Sequence, residues 1–540
     1  MTVNVILLVN DTFRRDYLGC YGNDWIATPN LDAFAERAAI FDQYYIASYP
    51  TVPNRWDMAV GRYGFPTRGW EPLRREDVTL AQRLSRNGVH TQMIWDTPML
   101  NMNDYNYTRG FAGIEFVHGQ KGDPWITDPS LPVRHSAQPH KIKSLKSLDG
   151  YLRNHFQRRH ERQFPVARTM IQALEWLETN HNHPDGFFLY VDMWDPHEPF
   201  DCPWYDYELY ADPSYQGDQI TYPQYGRTTY MTEAEHRNVK ALYAGLVTLT
   251  DRWVGVFLDV AERLGLFEDT LIIWTTDHGH LFGEHDLHGK PGAEMGRLYE
   301  ETTRIPLLVH HPEELGAGEH ISGIVQPPDL LPSIMEYMGL DTTDTIEGRS
   351  FWPLVRGETI EGHRYAFSNR YPQGGSQTGA AFDGWVGSDR TVEPGTVTDD
   401  EWTYICMPGG LPSELYNLRD DPTQKHNVID RHPDVAAEMK EAWIGFLREH
   451  DAVPSRIDPF LGELTELHAI SDGKLYAFRD DLGQWIAFPT ERQAQEAAYQ
   501  ENAPGPERAI EPITFRQLLA DNAHNLVHLF DQYYWAEDLA

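Results

Sequence analysis

Thr51, Pro53 and Arg55, inside the stretch SYPTVPNRWDMAVGR that begins at Ser48, have types and spacing suited to holding an anion. Pro53 fits the first turn of a helix, where its missing N–H has no partner and its φ is already right. That reading puts Thr51 at the helix cap, facing free backbone N–H groups and the positive end of the dipole. Arg55 lies one helical turn on, so its guanidinium reaches the same spot. A capping Thr beside a surface Arg would have the same local sequence. Four other polar clusters give the stretch a context: Asn10-Asp11, Asp96-Thr97-Pro98, Asp195-Pro196-His197 and Asp277-His278-Gly279. They offer carboxylate, amide and imidazole donors, the groups that bind divalent metals.

Each cluster closes a short apolar run: Val3–Val9, Val89–Trp95, Gly186–Met193 and Thr270–Thr276. Such runs predict strands buried on both faces of a parallel sheet. Between them lie helical patterns that begin at Thr28-Pro29-Asn30, at Leu80 (stopped by Gly88), at Arg168, at Glu233 (stopped by Gly265) and at Asp329 (stopped by Gly339). Strand alternating with helix implies an α/β fold, a mostly parallel sheet between helices. In such folds the site lies outside the carboxyl ends of the strands, so the four clusters are expected on one edge, as a metal site. Residues 101–165 and 201–230 show little period and read as loops over that site. Their aromatics suit stacking on a sugar or aryl group, and core packing would use them equally well.

The chain has 540 residues, enough for several domains. The expected division is a catalytic α/β domain at 1–360, a C-terminal α+β subdomain at 361–450 and an extension at 451–540. The extension carries a hairpin pattern from Leu475 and aromatic C-terminal helices, and would serve homo-oligomer contacts or shape the pocket. A net charge of −36 disfavours nucleic acid as a partner. No apolar run approaches the length of a membrane span and the N-terminus has no signal-peptide pattern, so a cytoplasmic location away from membranes is expected. Cys20, Cys202 and Cys406 are scattered without a C-x-x-C pair and read as buried thiols. Lysine is scarce, which gives weight to Lys290.

With these segments in view, the chain resembles the sulfatase family within the alkaline phosphatase superfamily. The resemblance rests, in family order, on Asn10-Asp11, on Leu18-Gly19-Cys20-Tyr21-Gly22 with Thr28-Pro29-Asn30-Leu31-Asp32, and on the Thr51 segment at the place of the C/S-x-P-x-R signature. It continues through Asp195-Pro196-His197, Asp277-His278-Gly279, Gly283-Glu284-His285, Gly289-Lys290, Arg304-Ile305-Pro306-Leu307, Gln326-Pro327-Pro328-Asp329 and Glu414-Leu415-Tyr416-Asn417-Leu418. It covers roughly residues 1–450 and implies an alkaline phosphatase-like core. It also implies one divalent cation, Mn²⁺, Ca²⁺, Zn²⁺ or Mg²⁺, on Asn10, Asp11, Thr51, Asp277 and His278. Members often carry an Asp pair at the first strand, and Asn10 departs from it. Similar proteins place a histidine and a lysine near the leaving oxygen, here His197 and Lys290, whose chemistry suits a proton donor or a positive charge. The Lys and His that often follow the strand at Val89–Trp95 are replaced by Asp96-Thr97-Pro98. His280, His285 and His288 could hold a second metal, although loop histidines mostly face solvent or second partners.

Thr51 decides the chemistry that the resemblance implies. The signature normally opens with Cys or Ser, which becomes formylglycine, and Thr cannot give that aldehyde. Formylglycine hydrate expels sulfate by breaking its own C–O bond, an exit that a sulfated Thr lacks. A phosphorylated Thr can be attacked by water at phosphorus. The expected function is therefore hydrolysis of a phosphodiester or phosphonate ester in a small or glycan-linked anionic substrate, with Thr51 as nucleophile, Arg55 holding it, and no formylglycine. The alternatives are a sulfate-ester hydrolase using Thr51 directly and a non-catalytic anion-binding relative, the latter suggested by Asn54 in place of the signature's small Ser.

Overall fold

The computed structural model describes residues 4–101, 105–290, 297–342, 345–370, 393–408 and 412–461, and the backbone of five strands between 474 and 535. The chain forms two compact units, one of Met1–Gly64, Pro72–Lys290 and Tyr299–Ala366, the other of Phe65–Glu71, Pro291–Leu298 and Phe367–Ala540.

The first unit contains strands β1 (Asn4–Asn10), β2 (Ala39–Phe41), β3 (His90–Trp95), β4 (Gly113–Phe116), β5 (Phe187–Met193), β6 (Gly226–Arg227), β7 (Thr270–Thr276), β8 (Leu281–Phe282), β9 (Leu287–Gly289), β10 (Leu307–His310) and β11 (His320–Ile321). Eight of them make one sheet in the order β11-β2-β10-β7-β1-β5-β3-β4. β1 is buried at every position and runs parallel to β5 and β7, as its unbroken apolar run requires. β3 is parallel to β5 and β4, while β10 is antiparallel to β7 and β2. The sheet is thus mostly parallel, as expected. Its register sets Asn10 beside both Met193 and Thr276, and Trp95 beside Asp192, so the residues after β1, β3, β5 and β7 emerge along one edge. β4 lies in a segment expected to be loop; Ile114 and Glu115 are both exposed, so no apolar alternation marks it in the sequence.

Helices α1 (Pro29–Ala35), α2 (Thr51–Val60), α3 (Leu80–Arg86), α4 (Pro165–Asn180), α5 (Glu233–Arg263) and α6 (Leu330–Tyr337) are among those of this unit. α5 opens on a capping box between Thr232 and Glu235 and packs on α4 and α1. It is long and apolar enough to cross a membrane, and 89% of that stretch is buried inside the protein, as expected of a core helix.

In the second unit, β12 (Gly395–Thr398), β13 (Trp402–Cys406) and β14 (Glu414–Asn417) form an antiparallel ladder. Helix α7 (Pro433–Glu449) places Trp443 and Phe446 in stacked contact with Phe65. Lys474–Arg479 and Trp485–Phe488 pair as the expected hairpin. The C-terminal helices expected beyond it are absent among the described residues, and two antiparallel strands, Leu526–Leu529 and Gln532–Trp535, take their place. Short segments rich in aromatic and β-branched residues gain more from pairing than from an isolated helix. Cys406 is buried as expected, whereas Cys20 and Cys202 are half-buried; all three are free thiols.

Candidate active site

Thr51 is the first residue of α2 rather than its cap. Pro50 holds the cap position and no side chain caps the helix there. The Thr51 hydroxyl is thereby left to face the strand ends, where it lies 3.5 Å from Nε2 of His278. Thr51 is buried, as are its helix neighbours Asn54 and Arg55.

Asp11, Asp277 and His278, carried past the ends of β1 and β7, meet Thr51 there. Their ligand-capable atoms all lie within 4.8 Å of one another, and all three side chains are buried. Nδ1 of His278 donates to the Gly279 carbonyl at 2.8 Å. Since a carbonyl only accepts, Nε2 of the neutral ring is an unprotonated lone pair. That lone pair points at Asp277 Oδ2 (3.3 Å) and Asp11 Oδ1 (3.9 Å). Asp11 Oδ2 makes no hydrogen bond and has Arg55 NH1 beside it at 3.3 Å. Burial and the neighbouring Asp277 push the Asp11 carboxyl above its ordinary value. Burial, then Lys290, push His278 down to about 3. Two carboxylates and an imidazole lone pair converge here, buried, with the Arg55 and Lys290 cations at their margin. The donor set fits a divalent ion, with Thr51 as a further oxygen.

Asn10, the other residue expected to hold the cation, is hydrogen-bonded to its neighbours in the sheet. Its Oδ1 accepts from the Trp274 indole at 2.9 Å and its Nδ2 donates to the Asp195 carbonyl at 2.7 Å, so the amide ties β1 to its neighbours.

Arg55 reaches the site, but its guanidinium is taken up by carboxylates. Nε and NH2 donate to the two oxygens of Asp192 at 2.7 and 2.9 Å. NH1 approaches Asp277 Oδ2 at 2.5 Å, Asp11 Oδ2 at 3.3 Å and the Thr51 carbonyl at 3.3 Å. Asp192 also accepts from Thr97 Oγ1 and from the Tyr190 hydroxyl. Sequence reasoning passed over Asp192 because it lies inside an apolar strand. A charged residue within a strand that is otherwise buried on both faces was the available signal. Asp96 is likewise a supporting group, accepting from the Trp194 N–H and the Thr169 hydroxyl.

His197 and Lys290 flank the same edge. The Lys290 ammonium is 3.6 Å from Asp11 Oδ1 and 5.7 Å from the Trp194 ring centre. His197 stacks on that ring at 3.8 Å and donates from Nδ1 to the Glu198 carbonyl at 2.6 Å. Burial, then Lys290 and Lys121, hold its imidazole well below the usual value, so it is neutral with a lone pair at Nε2. Lys121, from the aperiodic segment after β4, was also missed. It is buried, donates to the Tyr222 hydroxyl at 3.1 Å and lies 5.7 Å from the Trp194 ring centre. Lys143 sits 3.4 Å from the Tyr225 ring centre. Burial raises the Glu198 carboxyl, but Lys290, Lys143 and Lys121 together outweigh it and keep the pKa below normal. Lys290 and Lys121 thus bring a cationic wall to Trp194 beside the acidic group, with Lys143 on Tyr225.

Comparison with known proteins fits this arrangement. The Sulfatase family model matches residues 3–340, and that for the C-terminal part of N-sulphoglucosamine sulphohydrolase matches 283–446. Arylsulfatase K of Xenopus laevis is 23% identical over 476 residues, covering 81% of each chain. The uncharacterized sulfatase YidJ of Escherichia coli (strain K12) is 25% identical over 475 residues, covering 82% of this chain and 87% of its own. Among solved structures, the phosphonate monoester hydrolase of Agrobacterium radiobacter superposes with a TM-score of 0.66 at 19% identity, over 83% of this chain and 96% of its own. BT4656 in complex with its substrate D-glucosamine-2-N,6-O-disulfate superposes with a TM-score of 0.64 at 17% identity, over 85% and 99%. Members of the family use a divalent metal, consistent with the Asp11, Asp277 and His278 group. On this match and this fold, the chain belongs to the sulfatase family and is a hydrolase acting on ester bonds.

Proposed function

We propose that the protein hydrolyses phosphodiesters or phosphonate esters with Thr51 as the nucleophile. One observation carries the reading: the residue that faces Asp11, Asp277 and His278 at the head of α2 is a buried threonine, which cannot become formylglycine. A divalent cation held by Asp11, Asp277 and His278 would supply positive charge to the ester oxygens and to the Thr51 hydroxyl. Thr51 attacks phosphorus in line, its hydroxyl proton passing to solvent water, and the bond from phosphorus to the leaving oxygen breaks on the opposite side. Lys290 meets the charge that develops on the leaving oxygen and can supply its proton, while Lys121 adds charge behind it. His197, neutral and with its Nε2 lone pair free of the Glu198 bond, takes the proton of the water that later attacks the phosphoryl-threonine. Arg55, occupied by Asp192 and Asp277, fixes the carboxylates and the Thr51 backbone. In this assignment Asn10 positions β1 and the ligand oxygens come from Asp11 and Asp277.

A sulfate-ester hydrolase is the second reading, favoured by the arylsulfatase relatives. An anion-binding protein without turnover is disfavoured by the assembled acidic group and the cationic wall beside it. Metal-loaded protein assayed with p-nitrophenyl sulfate, phosphate, bis-p-nitrophenyl phosphate and a phenylphosphonate ester separates the three. The proposal expects the diester and phosphonate to exceed the sulfate by at least about tenfold in kcat/KM, about 1.4 kcal/mol of transition-state preference. A sulfate preference, or no turnover of any ester, overturns it.

A further inference from the structure

Beyond Lys290 and Lys121, which the proposed reaction uses, a third ammonium stands one ring further out. Lys290 and Lys121 each lie 5.7 Å from the centre of the Trp194 ring. Lys121 and Lys143 share the next ring, Tyr222, at 5.0 and 5.9 Å from its centre. Lys143 then sits 3.4 Å from the centre of Tyr225. The row leads outward, since Lys290 and Lys121 are buried and Lys143 is half-buried.

The backbone fixes the outer members of this row. Ile142 forms an antiparallel bridge with Pro223, and the Lys143 N–H donates to the Tyr222 carbonyl at 3.0 Å, so the chain at Lys143 runs beside residues 222–225. Tyr225 in turn lies against the backbone just before Lys290. Gly289 has a φ of 98°, and a Cβ there would fall 2.3 Å from the Tyr225 ring. Only glycine adopts that angle readily and leaves room for the ring. The Tyr225 hydroxyl donates to Glu198 Oε1, which ties the far end of the ring to the residue after His197.

Tyr222 and Tyr225 come from a segment whose aromatics suited stacking on a sugar or aryl group, and their rings carry ammoniums. A ring quadrupole holds a cation in place without neutralising it. Like charges gathered in a recess with low-dielectric walls focus the field and draw in anions. Two carboxylates adjoin the row: Glu198, whose Oε2 is 3.3 Å from His197 Nδ1, and Asp11, 3.6 Å from Lys290. Lys141, two residues before Lys143, is built differently, as a structural ion pair with Asp218 at 2.9 Å and with Glu235.

We propose that Lys143, seated on Tyr225, is a specificity-determining residue that binds a second anionic group, a carboxylate or a phosphate, carried on the leaving side of the substrate. The natural ester would then bear charge at two places, one at the scissile group beside Lys290 and one at the outer end of the lysine row. This rests on the reading above, which sets Lys290 at the leaving oxygen. Lys143 takes no part in the bond-breaking step, so its loss should alter which ester is preferred and leave the chemistry intact.

The test uses methyl aryl phosphates whose aryl leaving group carries a carboxylate, a phosphonate or a neutral carboxamide, attached directly or through a short alkyl spacer. With metal-loaded full-length protein, a charged substrate should exceed its carboxamide partner by at least about tenfold in kcat/KM, and whether the carboxylate or the phosphonate gains more names the source of the anion. Lys143→Met should bring that ratio to within about twofold while the carboxamide substrate keeps its wild-type kcat/KM, and Lys143→Arg should preserve the preference. Equal kcat/KM for charged and neutral substrates in the wild type, or a preference that survives in K143M, overturns the proposal. The same pairs prepared as aryl sulfates give the ratio if sulfate proves to be the ester cleaved, so the two readings fail separately. If no ester is turned over, calorimetric binding of carboxyphenyl and carbamoylphenyl phosphonates to wild type and K143M reads the same preference, and equal affinities refute it.

Discussion

Asp192→Asn is the substitution in which stability and metal binding are most closely joined. Asp192 is wholly buried and accepts from four donors: Nε and NH2 of Arg55, Thr97 Oγ1 and the Tyr190 hydroxyl. An amide keeps the shape but turns an NH2 group towards donors and removes the charge that balances a buried guanidinium. Breaking one partner of a buried pair costs about 3–5 kcal/mol. Arg55, so released, would lean on Asp277 and Asp11, already 2.5 and 3.3 Å away, and compete with the divalent cation. Loss of such a supporting partner weakens metal binding by about 10–100-fold. Urea unfolding and calorimetric Mn²⁺ titration measure the two effects. In the double variant with Arg55→Met the Asp192–Arg55 pair is removed from both sides, so the stability losses should fall short of additivity by about 2 kcal/mol or more. Strict additivity, or a D192N protein within about 1 kcal/mol of wild type and unchanged in Mn²⁺ affinity, would refute the account of Arg55 as a charge held by three carboxylates.

Two further expectations concern residues outside the acidic group. His155 is held down to about 3, first by burial and then by Arg158. Its folded pKa lies below the unfolded value of about 6.5, so the unfolded chain protonates first and this stability is present above that value and lost as pH falls towards 3. Between pH 7.5 and 5.5 the loss from this residue is about 1.4 kcal/mol; His155→Leu should flatten the pH dependence of urea unfolding by that amount, and parallel curves would count against it. Lys121→Met should lower kcat/KM for anionic esters by about 10–100-fold, 1.4–2.8 kcal/mol, with far less effect on a neutral carboxylic ester if one is turned over; an unchanged kcat/KM removes Lys121 from the cationic wall.

The core of the site was legible because parallel strands buried on both faces leave long apolar runs. Their register then forces Asp11, Asp195 and Asp277 to one edge. The sequence did not show which neighbours in the chain are neighbours in space. Asn10 and Asp11 are consecutive, yet the Asn10 amide is fixed to Trp274 and Asp195 while Asp11 meets Asp277 and His278. Asp192 was hidden within its strand. Lys121 was hidden by a segment with no period, because its position follows from β4 joining the sheet edge rather than from any local pattern. The cap expected of Thr51 failed for a local reason: Pro50 takes that place, and the hydroxyl is left for the site. In the extension, aromatic segments that read as helices pair as strands, since pairing depends on partners remote in the chain.

The central claim is that Thr51 is the residue that bonds to the substrate. Metal-loaded enzyme quenched in acid during turnover of bis-p-nitrophenyl phosphate, then digested and mapped by mass spectrometry, tests it directly. A phosphoryl-ester adduct on the Thr51 peptide is expected, with no adduct and no burst of p-nitrophenol in Thr51→Ala. An active Thr51→Ala enzyme, or an adduct carried by a different residue, would contradict the account.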